Sequence, residues 1–231
     1  YGIILNGYSN VLSSNTHFSA ILGGSGNTMI KSTLSLIGQG KSNLINPINT
    51  SKYVTLLNGF SNRIYGQYSS YSFLGGGSNN KIGGQNQIIL NGQRNVITGT
   101  GFFSSIINGR DNIIYNNGSN GSPFIGNGSG NTILGSDVSF SFIGNGLNNF
   151  ISSKNSFIGS GNKLSATSVY SVSLNGIRNI SRQTYSTTLN GIDNYNSGQF
   201  STIINGSSNF IGNSTKYAFI NGKRNVFSGV G

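Results

Sequence analysis

A chain of 231 residues is long enough for one large domain or two ordinary ones, but only 7% of its residues are charged, against roughly 25% in typical globular proteins. Gly, Asn and Ser (36, 36 and 38 residues) make up nearly half of it, a composition that would suit a flexible linker were the 35% of hydrophobic residues not spaced at fixed intervals. The net charge of +11 comes from 14 Lys and Arg against three Asp and no Glu, and the absence of Cys excludes disulfides and thiolate metal sites.

Basicity by lack of acids favours anionic partners. No apolar run approaches the roughly 18–20 residues that a membrane helix needs, so no membrane span is expected. Tyr1 stands where an initiator Met would, which reads as a mature or excised segment. Residues 1–231 are expected to be one repeat domain, or a slice of a longer array.

A short phrase organises the chain: two apolar residues, Asn or Gly, Gly, a tight turn, Asn, then aliphatic residues again. Aligned on the residue before the Asn or Gly, an anchor column reads Leu5, Leu22, Ile37, Leu57, Leu74, Leu90, Ile107, Ile125, Ile143, Ile158, Leu174, Leu189, Ile204 and Ile220. About five residues later an Asn column reads Asn10, Asn27, Asn43, Asn62, Asn79, Asn95, Asn112, Asn131, Asn148, Asn162, Asn179, Asn194, Asn209 and Asn225. The unit is too short for two helices, and its Gly, Asn and β-branched content disfavours helix. Each unit therefore reads as strand, turn, strand, turn. Such a unit buries its apolar face only by stacking. The expected fold is all-β, a parallel β-solenoid of about 14 coils, with ~16–17 residues per coil and coils stacked at about 4.8 Å.

In this reading the anchor faces the interior, and the Asn column forms ladders in which each amide bonds the amide above and below. The residue before the anchor then points outward. That column is mostly apolar: Ile4, Ile21, Leu36, Leu56, Phe73, Ile89, Ile106, Phe124, Phe142, Phe157, Ile203 and Phe219, with Ser173 and Thr188 weakening it. A continuous apolar stripe on a rod marks an interface, so a homo-oligomer is expected. The period stretches at Asn46-Pro47 and at the turn-rich run from Asn116 to Pro123, both read as surface bulges. Placing the C-terminal Val226 to Gly231 before Tyr1 keeps the phrase in register, which suggests end-to-end self-assembly.

The phrase resembles the head repeats of YadA-type trimeric autotransporter adhesins, most closely at Phe142-Ile143-Gly144-Asn145-Gly146 and Phe157-Ile158-Gly159-Ser160-Gly161. The match covers essentially the whole chain at the level of the repeat phrase. Those heads are usually built of shorter, Ala-richer units, and this chain shows no neck, stalk or anchor. The resemblance implies a left-handed β-roll, a trimer and surface adhesion.

Catalysis would need groups that are scarce here. There is one His, His17, and the three Asp (Asp111, Asp137, Asp193) lie coils apart, so paired carboxylates are nearly excluded and no Ser or Thr has a base that would make it a credible nucleophile. No Asp recurs per repeat, as a calcium-binding roll requires, and no regular Thr-x-Thr face exists for ice binding. No enzyme activity and no cofactor are expected. Arg63, Arg94, Arg110, Arg178, Lys223 and Arg224 fall at turn tips and form a candidate polyanion-binding edge, suited to an acidic glycan or a host surface more than to nucleic acid. Tyr65, Tyr68, Tyr71, Tyr115, Tyr185 and Tyr217 sit in the variable half of the coil, able to stack on sugars or on neighbours. Of seven Asn-x-Ser/Thr sites, including Asn120, the candidates for glycosylation are Asn49, Asn117 and Asn213. The expected function is a non-enzymatic, extracellular structural or adhesive fibre at a cell surface, in a secreted matrix or on a virus. A binding module for anionic glycan is the alternative.

Overall fold

The structure, a computed structural model, describes residues 1–13, 15–118 and 121–229. The Asn-x-Ser/Thr sequence at Asn120 and the Val230-Gly231 part of the end-to-end junction lie outside the described residues. The fold is an all-β parallel solenoid of about 13 turns with ~17 residues per turn, and the described residues contain no helix. Two parallel sheets of 14 strands run along the stack. Sheet A extends from Gly2–Ile4 to Phe219–Lys223, and sheet B from Val11–Leu12 to Val226–Phe227. A third, two-stranded sheet pairs Ser32–Thr33 with Ser51–Lys52. Asn46-Pro47, expected as a surface bulge, instead ends the sheet B strand Leu44–Pro47 with Pro47 buried, and Asn116, at the start of the other expected bulge, ends the strand Ile113–Asn116 and is buried, because the extra residues extend pairing with the next coil before the chain turns.

One coil shows how the sequence builds the rest. Ser105–Ile106 lies in sheet A and Ile113–Asn116 in sheet B. The corner between them turns at Gly109, whose φ of 109° is open to glycine and strained for other residues. A Cβ there would also sit 2.2 Å from the carbonyl oxygen of Gly128 in the next coil, so glycine is needed for space as well as for torsion. Asp111 follows in the left-handed region (φ 58°), and Asn112 closes the corner. Most strands of the two sheets send one aliphatic residue inward, here Ile106 and Ile114, both fully buried in one core that runs from Ile21 to Ala166. Burial of each such side chain contributes about 1.5–3 kcal/mol.

The inward column of sheet A differs from the expected anchor. Sheet register aligns Ile4, Ile21, Ile37, Leu56, Leu74, Ile89, Ile106, Ile125, Ile143, Ile158, Ser173, Thr188, Ile203 and Ile220. The repeat contains two phrase types, typified by Ser105-Ile106-Ile107-Asn108-Gly109 and Phe124-Ile125-Gly126-Asn127-Gly128. In both, the inward residue lies three before the positive-φ glycine. Aligning on the Asn or Gly that follows the apolar pair slides the first type by one residue, and a slip of one residue exchanges the faces of a strand. Leu5, Leu22, Leu57 and Leu90, expected in the core, are therefore exposed, and Ile107, Leu174, Leu189 and Ile204 are half-buried.

Two side-chain ladders line the corners. Asn112 represents the first. Its Nδ2 donates to Asn108 O (3.3 Å) and to Gly128 O of the next coil (3.0 Å), and its Oδ1 accepts the N–H of Asn131 (3.0 Å). The amides thus serve the backbone above all. Direct amide-to-amide bonds occur as well, for instance Asn43 to Asn27 (3.1 Å) and Asn209 to Asn194 (2.9 Å). The ladder residues are Asn80 and Asn149, not Asn79 and Asn148, which take the left-handed position (φ 56° and 55°). Asn162 is not in the ladder either. Leu164 holds that place, buried, with its N–H given to Asn149 Oδ1 (2.9 Å). At the opposite corner a buried serine column repeats the device. Ser19 Oγ donates to Ser32 O (3.0 Å) and accepts from Ser35 N, while Ser201 Oγ accepts from Ala218 N (3.0 Å). This ladder thins at Gln87 and Ser104, whose Oε1 and Oγ are buried without a partner.

The core is interrupted once. Ser173 and Thr188 of sheet A lie opposite Ala166, Ser181 and Asn196 of sheet B, all buried. Ser181 Oγ donates to Thr188 Oγ1 (3.0 Å), and Asn196 Nδ2 donates to Thr187 O (2.9 Å) and Ser201 O (2.8 Å), so hydrogen bonds tie the sheets where methyl groups do elsewhere. Beyond this layer a second apolar cluster begins with Ile203, Ile211, Ala218 and Ile220.

Candidate functional site

On a solenoid the surface is a set of columns, so a functional site here is a column or the groove between two. Three columns are distinctive. The first is the outer face of sheet A. Of the expected apolar stripe, Ile21, Leu56, Ile89, Ile106 and Ile203 are fully buried core residues, a correction that follows from the one-residue slip. Ile4 belongs to the same inward column and is exposed because it lies in the first coil. Leu36, Phe73, Phe124 and Phe142 are half-buried on the outer face, and Phe157 and Phe219 are exposed there.

That face follows a volume rule. Where the outer residue before the core position is Phe, the one after it is Gly in four coils, Phe73/Gly75, Phe124/Gly126, Phe142/Gly144 and Phe157/Gly159, the exception being Phe219/Asn221 in the last coil. Where the second is Leu or Ile, the first is often small, as in Ser105/Ile107 and Thr187/Leu189. The ring lies over its glycine: a Cβ on Gly75 would come within 3.1 Å of the Phe73 ring. The Phe124, Phe142 and Phe157 rings stack along the rod with centroids 5.1 and 5.0 Å apart. The outer face thus carries its own packing, and its largest groups are partly withdrawn from water.

The second column is an external ridge at the corner leading into sheet A. Its residues precede the serine ladder and adopt the left-handed backbone. Phe18, Leu34, Tyr53 and Tyr71 have φ of 51–58°, Phe103 and Phe140 58° and 54°, and Tyr170, Tyr185, Phe200 and Tyr217 52–59°. All ten are exposed, from 42% at Phe200 to 77% at Tyr217. Asn86 and Asn155 occupy the same position in two coils. Successive rings stack, Tyr170 on Tyr185 (4.8 Å between centroids), Tyr185 on Phe200 (4.9 Å) and Phe200 on Tyr217 (5.4 Å). The sequence carries a signal for this column that the phrase obscured: an aromatic residue followed by Ser recurs in Phe18-Ser19, Tyr71-Ser72, Phe140-Ser141, Tyr170-Ser171, Tyr185-Ser186 and Phe200-Ser201.

The third is the cationic edge, which does not form one line. Arg94 and Arg178 are held by Asp111 and Asp193 of the following coil through paired hydrogen bonds (2.6 and 2.7 Å; 2.5 and 2.7 Å). Arg110 also lies 3.6 Å from Asp111. The guanidinium of Arg94 holds the Asp111 carboxyl below the usual carboxylate range, and Arg178 does the same for Asp193. Lys223 and Arg224 stand exposed in the last coil. Arg63 is different. On the outer face of sheet B it lies directly opposite Lys81 of the next strand, and neither has an acidic partner among the described residues. Arg63, Lys81 and Tyr65 line one groove, and the Tyr65 ring reaches over Gly83. On the far side lies a cleft of about 340 Å³ lined by Tyr68, Phe102, Tyr115, Gln85 and Thr100.

His17 is exposed, and among the described residues no group of three or more His, Cys, Asp or Glu is placed to hold a metal ion. Asn49, Asn117 and Asn213 are all exposed, and Asn117 Nδ2 donates to the Tyr115 hydroxyl (2.6 Å). No helix of the described residues is long and apolar enough to cross a membrane. No known family model matches the chain, and no curated protein matches it.

Proposed function

We propose that this protein is a non-enzymatic, extracellular structural or adhesive element, a stiff rod that forms the shaft or head of a surface fibre by stacking end to end. The observation that carries this is the polarity of the ladder. Each Asn offers Oδ1 to the backbone N–H of the next ladder residue and Nδ2 to the next glycine carbonyl, from Asn10 onward. Asn225 at the far end donates to Asn221 O and to Asn209 Oδ1, leaving its Oδ1 toward the open end. The N–H of Asn10 and the Oδ1 of Asn225 are thus complementary, and the apolar faces beside them are exposed at Ile3, Ile4 and Leu5 and at Val226 and Phe227. A coil of the same kind in a second copy would match either end. The likeness to adhesin heads supports a left-handed roll, a trimer and a place on a cell or virus surface. The test is negative-stain electron microscopy of the purified chain. Filaments of uniform width that shorten to single rods on Val226→Pro, which removes a donor from the last strand, are expected. Isolated rods at high concentration would overturn end-to-end stacking.

A second reading has its own observation. Like charges directly opposite on neighbouring strands are unfavourable, so the unneutralised pair Arg63 and Lys81 beside Tyr65 fits an acidic sugar better than it serves stability. Retention on a sulfated polysaccharide that is salt-sensitive and falls on Arg63→Gln with Lys81→Gln is the expected result. Unchanged retention removes this reading.

A further inference from the structure

We propose that the aromatic ridge is a lateral interface at which a second copy of this rod packs, ridge against ridge. The argument begins with backbone strain. A non-glycine residue in the left-handed region costs roughly 1–2 kcal/mol, and the bulky ones are the least suited to it. The rod contains a built-in comparison, because the opposite corner also has a left-handed residue in each coil. That column holds the types which tolerate the conformation or stay in water: Gly26, Ser42, Asn79, Asp111, Gly130 and Asn148, with Arg94 and Arg178 among the charged ones. The same backbone demand is met by polar residues and Gly at one corner and mainly by Phe and Tyr at the other, where Leu34, Asn86 and Asn155 are the exceptions. Backbone geometry therefore does not call for the rings, and the inward packing does not either, since the rings are exposed.

Area and periodicity point to the occupant. The ten ridge side chains leave roughly 1,000 Å² in water, taking about 200 Å² for a whole aromatic side chain. An interface of standard size needs about 800 Å² per partner, and a monomer rarely leaves an apolar patch beyond a few hundred. The ridge follows the stack in steps of one coil, with polar residues at Asn86, Ser122 and Asn155 in three of the coils. A partner that covers all of it has to be a rod with the same step, and this chain supplies one. The ridge residues carry no charge, which leaves nothing for a polyanion to neutralise. Rods each carrying +11 can approach along such a line. From Tyr170 to Tyr217 the ring faces are taken by neighbours in the same rod, so this part of the ridge offers little to a sugar ring.

This pairing is independent of end-to-end stacking, and the two are separated by using the Val226→Pro rod as background. Sedimentation velocity on that rod should give a particle of at least two copies, strengthened by added salt as charge repulsion is screened. Tyr185→Asn, Phe200→Asn and Tyr217→Asn together should return it to one copy with the melting temperature of the single rod unchanged or raised, because Asn suits the left-handed backbone. Tyr185→Phe with Phe200→Tyr should keep the association. The chain has no Cys, so a lone thiol reports contact. Phe103→Cys mixed with Phe140→Cys should cross-link into covalent pairs in either rod polarity, while Lys163→Cys on the polar corner should not. A single-copy parent rod, association that survives the triple Asn variant, or equal cross-linking at both corners overturns the proposal.

Discussion

Asn112 shows why one side chain per coil fixes a whole corner. It satisfies a carbonyl in its own coil, a carbonyl in the next and an amide N–H in the next, all without water. Asn112→Ala leaves the buried N–H of Asn131 unpaired, at about 1–3 kcal/mol before relaxation, and removes one donor each from Asn108 O and from Gly128 O, which keeps the N–H of Arg110 (2.9 Å). A loss of about 3 kcal/mol in denaturant unfolding is expected, against less than about 0.5 kcal/mol for Asn108→Ala on the exposed side of the same corner. The charged residues act differently. Asp111 and Asp193 lie at the surface, with folded-state pKa values lowered chiefly by hydrogen bonds from Arg94 and Arg178. For Asp137 the first cause is the Ser139 hydroxyl. A lowered carboxylate pKa stabilises the fold at pH above the unfolded value, about 4, and that contribution disappears as pH falls through the folded value. With three Asp and no Glu in the chain, stability measured by circular dichroism melts should depend on these carboxylates at acid pH. It should fall below about pH 4, with a shallower fall in Asp111→Asn and Asp193→Asn.

At the scale of the strand, the decisive quantity is phase. The repeat, the parallel stack and the Asn corners were legible because they depend on spacing alone, and spacing survives a shift of one residue. The choice of inward residue depends on absolute phase, and Ile106-Ile107 gives two equivalent-looking aliphatics with no internal marker. The marker lies three residues on, at Gly109, whose torsion is not visible in the letter G when Gly126 and Gly128 both follow Ile125. The ridge was hidden for a related reason: its residues fall in the half of the coil where loop length varies, so a column anchored on the other half drifts out of alignment there. The phase assignment has a direct test. Ile106→Ala, in the core, should lose about 3–4 kcal/mol, while Ile107→Ala, half-buried on the outer face, should lose about 1 kcal/mol. The reverse order would restore the original anchor and return Ile106 to the surface.

Over the whole molecule, the stack behaves as a line of coils, each stabilised by its neighbours, so cooperativity depends on every interface along it. Most interfaces are aliphatic on both sheets, but the layer formed by Ser173, Ser181, Thr188 and Asn196 replaces dispersion and apolar burial with a few hydrogen bonds. Smaller side chains bury less apolar surface, and a buried network is sensitive to the loss of one member. The rod is therefore expected to open there first, dividing the core that ends at Ala166 from the one that starts at Ile203. Asn196 is the member with most to lose, since it donates to Thr187 O and Ser201 O and accepts from Gly198 N (3.1 Å). Asn196→Ala should separate the two parts in hydrogen exchange. Peptides from 197–229 should gain exchange by about a hundredfold, corresponding to roughly 3 kcal/mol of lost protection, while peptides from 20–150 change by less than about threefold. A uniform gain along the chain would mean that the polar layer transmits stability as well as the aliphatic ones do. In that case a fibre built of such rods would have no preferred point of rupture.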